Sequence, residues 1–408
     1  MDSPETRTRW AAELTRRARA HWTAERTAEL ARGKALWLSP ADAAPLLRAL
    51  GLLRADASMP PPQVRKFFQI NHMVSVLEPA LRDLRARHPT IRLLDAGCGR
   101  SYLTLLLAWC ARHRWHHDLQ VLGVDRNAAV IDECRRRTQL AQLDDVVRFE
   151  ATALDRLDVT AAFDRAFGCA PVTASRTPPG TAPDHAPATA SDRAPATASG
   201  TDPGTAPGTA SGTTSGPAPG TTDTASDTAS GTAPGTASGT ASGTASGPAP
   251  GTTASGTTDT VDGTAGAIHG VIALHACDTA TCDALALGVA LHAELIAVAP
   301  CCQAELARAW TALDAAGAAG AFAPIWGAPH LRRETAAHLT DAMRTLLLRA
   351  AGYDVRALEF VPAEHTPKNT MLRAVKRGPA DPAAHAAYHA LCAATGGPGL
   401  ALAERLPR

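Results

Sequence analysis

No run of apolar residues in this 408-residue sequence approaches the ~20 that a membrane-spanning helix needs. From Met1 to Arg26 the chain is charged throughout and lacks the apolar core of a secretory signal. A Cys-x-x-Cys pair is missing as well, and the nine cysteines are odd in number. Without a secretion signal, that count argues for free thiols in a reducing compartment and against a disulfide framework. A cytoplasmic protein is expected, with no membrane association and no obligate protein partner inferred. Lysine is scarce too, at positions 34, 66, 368 and 376 alone, the rest of the 40 basic residues being arginine. A GC-rich genome produces that bias without any functional demand.

The most extensive absence lies mid-chain. Roughly 95 residues, from about Pro171 to Gly266, contain no Leu, Ile, Phe, Trp or Tyr, and Val only near the two ends. They are almost entirely Gly, Thr, Ala, Ser, Pro and Asp, with GTASGT, GTAPGT and GTTASG recurring. Such a stretch cannot bury enough apolar surface to offset chain entropy and reads as a flexible tether. It carries Arg176 and Arg193 against seven Asp, two less seven, a net of −5. With an overall charge of +1, the remainder stands at about +6. A mildly basic surface is compatible with a polyanion such as RNA, although simple solvation is the commoner reading.

What remains, about 310 residues, suffices for one sizeable α/β domain with helical additions. Trp10, Leu14, Ala18 and Trp22 recur at helical spacing, and a second apolar stripe holds Leu46, Leu47, Leu50 and Leu53. The triple proline at 60–62 breaks this region. A third helix is then predicted from near Gln63, with Phe67, Ile70, Val74 and Leu77 on its buried face. From Ile91 the pattern turns to strand–helix alternation: IRLLDAG, SYLTLLLAWCARH, LQVLGVD, AAVIDECRRRTQL and VVRFE. FDRAFG is read as the approach to a fourth strand, interrupted by the insert. IHGVIALHA resumes the pattern, followed by the helix DTATCDALALGVALH, the strand ELIAVAP and a long helix that ends at Gly352. YDVRALEFVP and TMLRAVK then form two strands, antiparallel because their connection is short. The predicted fold is α/β, a doubly wound, seven-stranded, mostly parallel sheet with an N-terminal helical extension and a disordered insert. Its parts are the extension (1–90), the first part of the domain (91–169), the insert (170–266), the second part (267–377) and a partly helical C-terminal tail (378–408).

Asp95-Ala96-Gly97-Cys98-Gly99-Arg100-Ser101-Tyr102 is the most informative segment. A strand ends in a carboxylate, two glycines make a tight turn, and a helix begins at once, offering unpaired N–H groups. A glycine-rich turn alone is weak evidence. Asp95 adds discrimination: pyrophosphate at this turn would make a neighbouring carboxylate unwelcome, whereas the ammonium and sulfonium of S-adenosylmethionine are cations that a carboxylate favours. Asp125, followed by Arg126, ends the second strand, where an acid can accept hydrogen bonds from ribose hydroxyls. The alternative makes Asp125 a helix-N-terminal acid. Glu150 ends the third strand, where an adenine-contacting position is expected, although the surrounding EATALD is a looser match.

DAGCGRSYLT followed by VD at the next strand end resembles motifs I and II of class I S-adenosylmethionine-dependent methyltransferases. RKFFQINHMVSVLEP, ALHACDTATCDAL, APCCQAEL and EFVPAEHTPKNTMLRAVK resemble a bacterial group in the methyltransferase-domain family. That family also includes eukaryotic methyltransferase-like proteins and is related to a tRNA 2′-O-methyltransferase group. The resemblance covers roughly 63–167 and 268–377, has no counterpart for the insert, and implies a Rossmann-like methyltransferase. Its two motifs imply cofactor contacts at Asp95, Gly97, Gly99, Ser101, Tyr102 and Asp125, to which the neighbouring Arg126 and, by position at a strand end, Glu150 are added as candidates. Ser101 stands where the common pattern has glycine, and a small residue is expected to fit there.

Ligands of a doubly wound sheet sit beyond the carboxyl ends of its strands. His275 and His365, with Asp278 behind them, are the candidate general bases, needed only if the acceptor must lose a proton. Gln69, Asn71 and His72, read as the polar side of the third helix, join Cys301, Cys302, Lys368 and Asn369 as candidate acceptor contacts. A solvated helix face serves equally well for the first three. Cys277, Cys301 and Cys302 also raise a thiolate nucleophile or a zinc site; adjacent cysteines do not readily give a regular tetrahedral set, so no metal is expected. The methyl acceptor is not specified by the sequence, RNA being modestly favoured. Two rivals are a nicotinamide-dependent oxidoreductase, disfavoured by Asp95 and the missing third glycine, and a non-catalytic RNA- or protein-binding adaptor, disfavoured by the intact Asp95, Gly97, Gly99 and Asp125.

Overall fold

The computed structural model describes residues 3–168, 266–274, 276–360 and 369–407. The low-complexity insert therefore lies, save Gly266, outside the described residues, as do His275, His365 and Lys368.

The N-terminal region folds as the apolar spacing predicts. Helix α1 (Pro4–His21) starts at the Ser3 cap and buries Ala11, Leu14 and Ala18, while the Trp22 indole donates to Ala57 O at 2.8 Å. After α2 (Ala24–Ala31) and α3 (Ala44–Ala49) comes α4 (Pro61–Arg87), opened by proline at its first positions. Strand β1 (Thr90–Ala96) leads to α5 (Tyr102–Cys110), which runs on into a π-helical turn (Ala111–Trp115). Then follow β2 (Asp118–Asp125), α6 (Ala128–Leu140), β3 (Val147–Ala151), a 3-10 turn (Leu154–Arg156) and α7 (Val159–Phe167). FDRAFG thus closes a helix and does not begin a strand: Val159, Ala162 and Phe163 form a helical stripe that covers the sheet. Beyond the insert come β4 (Gly270–Ala273), α8 (Thr279–Ala290), β5 (Leu295–Val298), α9 (Glu305–Ala315), α10 (Ala323–Trp326) and α11 (Pro329–Ala350). Strands β6 (Tyr353–Glu359) and β7 (Thr370–Lys376) and helices α12 (Pro382–Ala394) and α13 (Ala401–Arg405) complete the chain.

The seven strands lie in the order β3-β2-β1-β4-β5-β7-β6. All neighbours from β3 to β5 are parallel, and β7 runs antiparallel to both β5 and β6. Side chains alternate faces along each strand. Ile91 and Leu93 of β1 and Leu119 and Val121 of β2 pack into one core with α1, α3, α4, α5 and α6. Leu94, Ala96, Leu122 and Val124 pack into the other, with α7, α8, α9, α11, α12 and α13. The centre of the sheet is tight. A Cβ at Gly270 would come within 2.7 Å of Leu93 Cδ2 and 3.3 Å of Leu295 O, so a side chain there would push β4 off its neighbours.

The expected extension and tail are integral to these cores. Leu14 and Leu46 share a core with β1. At the other end, Tyr388, Leu400 and Leu402 are buried, and Arg405 pairs with Asp283 at 2.8 Å. The stripe of α12, Ala384, Tyr388 and Cys392, is spread four residues apart among solvent-facing alanines, which makes it easy to overlook in the sequence.

Candidate active site at the carboxyl edge of the sheet

β1 delivers Asp95 to the edge of the sheet, and three positive-φ residues then turn the chain into α5: Gly97 (φ 72), Gly99 (φ 51) and Ser101 (φ 51). Only two are glycines. Ser101 is left-handed at φ 51, ψ 36 and buried, a conformation that costs an L-residue about 1–2 kcal/mol. The position asks for backbone freedom, so smallness alone does not meet its demand. The turn is closed by Ser101 N–H donating to Cys98 O at 2.8 Å, and it is held to β2 by Cys98 N–H donating to Val124 O at 2.9 Å. Gly97 faces the loop after β4: a Cβ built on it would lie 3.7 Å from Ala276 Cβ.

Two carboxylates flank this turn in different states. Asp95 is 3% exposed, and the side-chain hydrogen bond to it among the described residues comes from Thr104 Oγ1 on α5. Burial pushes its pKa up to about 7, the Thr104 hydroxyl pulls it down, and the neighbouring Asp125 charge pushes it up. No cation pairs with Asp95 among the described residues. Asp125, at the tip of β2, is half-buried and already employed. Its Oδ2 accepts the Gly99 N–H at 3.1 Å and its Oδ1 the Asn127 N–H at 2.9 Å, so it pins the glycine turn from below. Arg126 beside it is exposed.

The remaining expected cofactor residues are more dispersed. Glu150 is bound by Arg165 of α7, whose NH2 lies 3.0 Å from both carboxylate oxygens. Tyr102 packs against the core under the N-terminal helices. The Lys66 ammonium stands 3.9 Å above its ring, and its hydroxyl donates to Leu50 O at 3.5 Å.

Across the edge, the loops after β4 and β5 are stitched together. Asp278 N–H donates to Cys302 O at 3.1 Å. The Asp278 carboxylate accepts from Ala304 N at 3.0 Å, Glu305 N at 3.2 Å and Arg308 NH2 at 2.7 Å. Burial works to raise its pKa, but the Arg308 guanidinium and the two backbone donors outweigh that and hold it below the usual carboxylate range. That is the reverse of what a general base near neutrality needs; Asp278 caps α9 and clamps the loops. Its backbone is strained at φ 54, ψ −118. From the far side, the fully buried Arg344 donates to Asp278 O at 2.9 Å and to Asp341 at 3.1 Å.

Three thiols gather at this clamp. Cys277 Sγ lies 2.7 Å from Cys301 Sγ, and the thiol atoms of Cys277, Cys301 and Cys302 all fall within 4.8 Å of one another. Burial, together with the two neighbouring thiols, pushes Cys301 up to about 12. Thr104, Arg308 and Arg344 were not foreseen as members of this edge. Arg308 and Arg344 meet Asp278 from 30 and 66 residues along the chain, whereas Thr104 lies nine residues from Asp95 and the i, i+3 pair Asp341/Arg344 carries a local signal too.

The acceptor-side candidates on α4 divide. Asn71 is not on the polar face as expected: it is buried, its Oδ1 accepting Leu38 N–H at 2.9 Å and its Nδ2 donating to Phe67 O at 3.0 Å. The amide oxygen ties the segment before α3 to α4, while the amide nitrogen bonds back to its own helix. His72 is exposed and meets Glu359 O at 3.4 Å, while Asn369 Nδ2 donates to Glu359 Oε1 at 2.9 Å. These two converge where α4 meets the β6–β7 hairpin. Gln69 is half-buried and lines a groove of about 1450 Å³ along α2 and α4. Arg26, Arg32, Lys34 and Arg65 line that groove against one carboxylate, Glu29, with Trp22 and Phe68 between them.

A family model described as methyltransferase domain matches residues 65–309, more than half of the chain. No curated protein matches it.

Proposed function

We propose that this chain, which belongs to the methyltransferase-domain family, transfers a methyl group from S-adenosylmethionine to an acceptor, with RNA the favoured acceptor class. The observation that carries this reading is Asp95: a buried carboxyl beside a glycine turn, with no cation to pair with among the described residues. Such a group is costly to bury unless something positive joins it. The ammonium and sulfonium of the methyl donor supply that charge, and a pyrophosphate would make the cost worse. Positive φ at Gly97 and Gly99 keeps backbone close to a ligand at this turn. Asp125, half-buried at the end of β2, offers its carboxylate for ribose hydroxyls while holding the turn.

When bound, the cofactor supplies a methyl carbon already activated by its sulfonium. The protein's part is alignment of donor and acceptor, which is worth about 7–11 kcal/mol of barrier when geometry is right. Asp278 contributes by fixing the β4 and β5 loops. Should the acceptor be a hydroxyl that loses its proton, His275 and His365 are the candidate bases by their places in the sequence. What favours RNA is the groove along α4, where four cations suit a phosphate backbone and the Trp22 ring a stacked base.

Calorimetry tests the donor. S-adenosylmethionine at a hundred times its Kd should stabilise the fold by about 2.7 kcal/mol, several degrees in Tm. An unshifted melt with both that ligand and its demethylated product would reject the reading. Incubating the protein with methyl-labelled cofactor and separated cell RNA and protein tests the acceptor: label should enter the RNA and vanish with ribonuclease, and label confined to protein overturns RNA.

A further inference from the structure

Eight cysteines lie among the described residues, and they fall into two sets. Cys98, Cys110, Cys134, Cys282 and Cys392 are buried, as small apolar residues should be. Cys277 and Cys302 are exposed and Cys301 is half-exposed, so packing does not explain them, yet they come together. Along the chain, 24 residues separate Cys277 from Cys301. The parallel pairing of β4 with β5 sets their carboxyl ends side by side and brings the two loops into contact.

We propose that Cys277, Cys301 and Cys302 form a three-thiolate site for a soft divalent cation, zinc above all. Zinc takes thiolates at about 2.3 Å, so ligand sulfurs of a tetrahedral ion stand about 3.8 Å apart. A cluster whose thiol atoms all lie within 4.8 Å of one another matches that scale, and small side-chain rotations open the closest pair to it. Binding balances as three thiols and Zn²⁺ giving a zinc trithiolate of charge −1 and three protons released. Adjacent cysteines raise no obstacle once a third ligand comes from another loop.

The loops are also braced before any ion arrives. Asp278 N–H to Cys302 O, the Asp278 carboxylate on Ala304 and Glu305, and Gln303 Nε2 on Asp341 at 2.9 Å fix the backbone on either side of the sulfurs. Preorganisation of this kind is what a metal site needs from its surroundings. Three protein ligands leave a fourth position for an exogenous donor. Ala276, next to Cys277, is the residue that faces Gly97 of the glycine turn, so the site adjoins that turn. The inference does not depend on the methyl-donor reading.

The test uses the full chain purified under reductant. Zinc content by mass spectrometry should be one per chain, and after a chelator strips that zinc, Co²⁺ should titrate in at one equivalent with a thiolate charge-transfer band that added Zn²⁺ abolishes. Cys277→Ser, Cys301→Ser and Cys302→Ser should each weaken cobalt binding at least tenfold, whereas Cys392→Ala should not. The wild-type titration stands by itself where a variant misfolds. Wild-type protein showing no thiolate band, a band surviving all three serine variants, or a resting Cys277–Cys301 disulfide under reductant would each overturn the proposal.

Discussion

Asp95 makes the methyl-donor reading quantitative. In the free protein, burial holds this carboxyl near pKa 7 instead of its ordinary 3.8. A cationic ligand beside it favours the ionised form, so the pKa in the complex must fall. Binding at a pH below about 7 therefore expels a proton, and affinity should rise with pH. With a free-state value of about 7 and a bound value well below 6, the apparent Kd scales as one plus the ratio of protonated to ionised carboxyl. That makes binding about tenfold weaker at pH 6 than at pH 8, about 1.4 kcal/mol. The ligand-free fold should run the other way. A raised acid favours the folded state when protonated, so its contribution is complete below 3.8 and is lost as pH climbs to about 7.

Titration calorimetry from pH 6 to 8, in buffers of different ionisation enthalpy, measures both the slope and the proton count. Asp95→Asn keeps an acceptor for Thr104 but removes the charge. It should flatten the slope and weaken binding at pH 8 by about 10- to 100-fold, the scale of a lost charged hydrogen bond at 1.5–3 kcal/mol. A wild-type affinity that is level across this range, or a slope that persists in Asp95→Asn, would refute the assignment of the cation to this carboxylate.

Other expectations follow from the clamps around the site. Asn71→Leu strands the Leu38 N–H and should cost about 1–3 kcal/mol of stability in a denaturant titration, with the methyl-donor Kd unchanged. His269 is pressed down to about 4 by burial first, then by His88, Arg92 and Arg87. As a base it stabilises the fold only while neutral, so its contribution is complete above 6.5 and is lost as pH falls toward 4. His269→Asn, which keeps an acceptor for Arg92 N–H, should lessen the acid-side fall in Tm relative to wild type. Asp278→Ala removes the cap of α9 and should cost about 1–2 kcal/mol, read by thermal melting. Asp278→Asn should restore most of that together with methyl transfer, whereas inactive, fully folded Asp278→Asn would return the residue to the role of general base.

Much of the fold was legible because the pattern that specifies it is local. Apolar strands bounded by glycine, alternating with helical stripes, announce a doubly wound sheet from Ile91 onward, and the short link between YDVRALE and TMLRAVK requires an antiparallel pair. FDRAFG misled because a short helix with Phe163 and Phe167 on one side looks like the start of a strand when a low-complexity tract follows it. The place of β7 between β5 and β6 is not local at all: it depends on which edge the hairpin joins, and no residue in the hairpin specifies that by type.

The site divides along the same line, and the division explains which residues were misjudged. Asp95, Gly97 and Gly99 are local, since a strand end, a turn and a helix start fall within eight residues, so composition and order suffice. Asn71 looked exposed because amides usually are, yet a single chain segment, 33 residues upstream, supplies the N–H that turns it inward. Asp278 looked like a base because carboxylates at strand ends often are. Ala304, Glu305 and Arg308, arriving from the next loop, convert it to a cap. The cysteines show the same effect in the opposite direction: spacing along the chain joins only Cys301 and Cys302, and the pairing of β4 with β5 brings Cys277 to them as a third thiol. In each case residue type gave the chemistry available, and the strand order decided which neighbours would use it. Substitutions that loosen the β4–β5 register should therefore disturb the clamp and the thiol cluster together, while leaving the Asp95 turn, anchored by β1 and β2, in place.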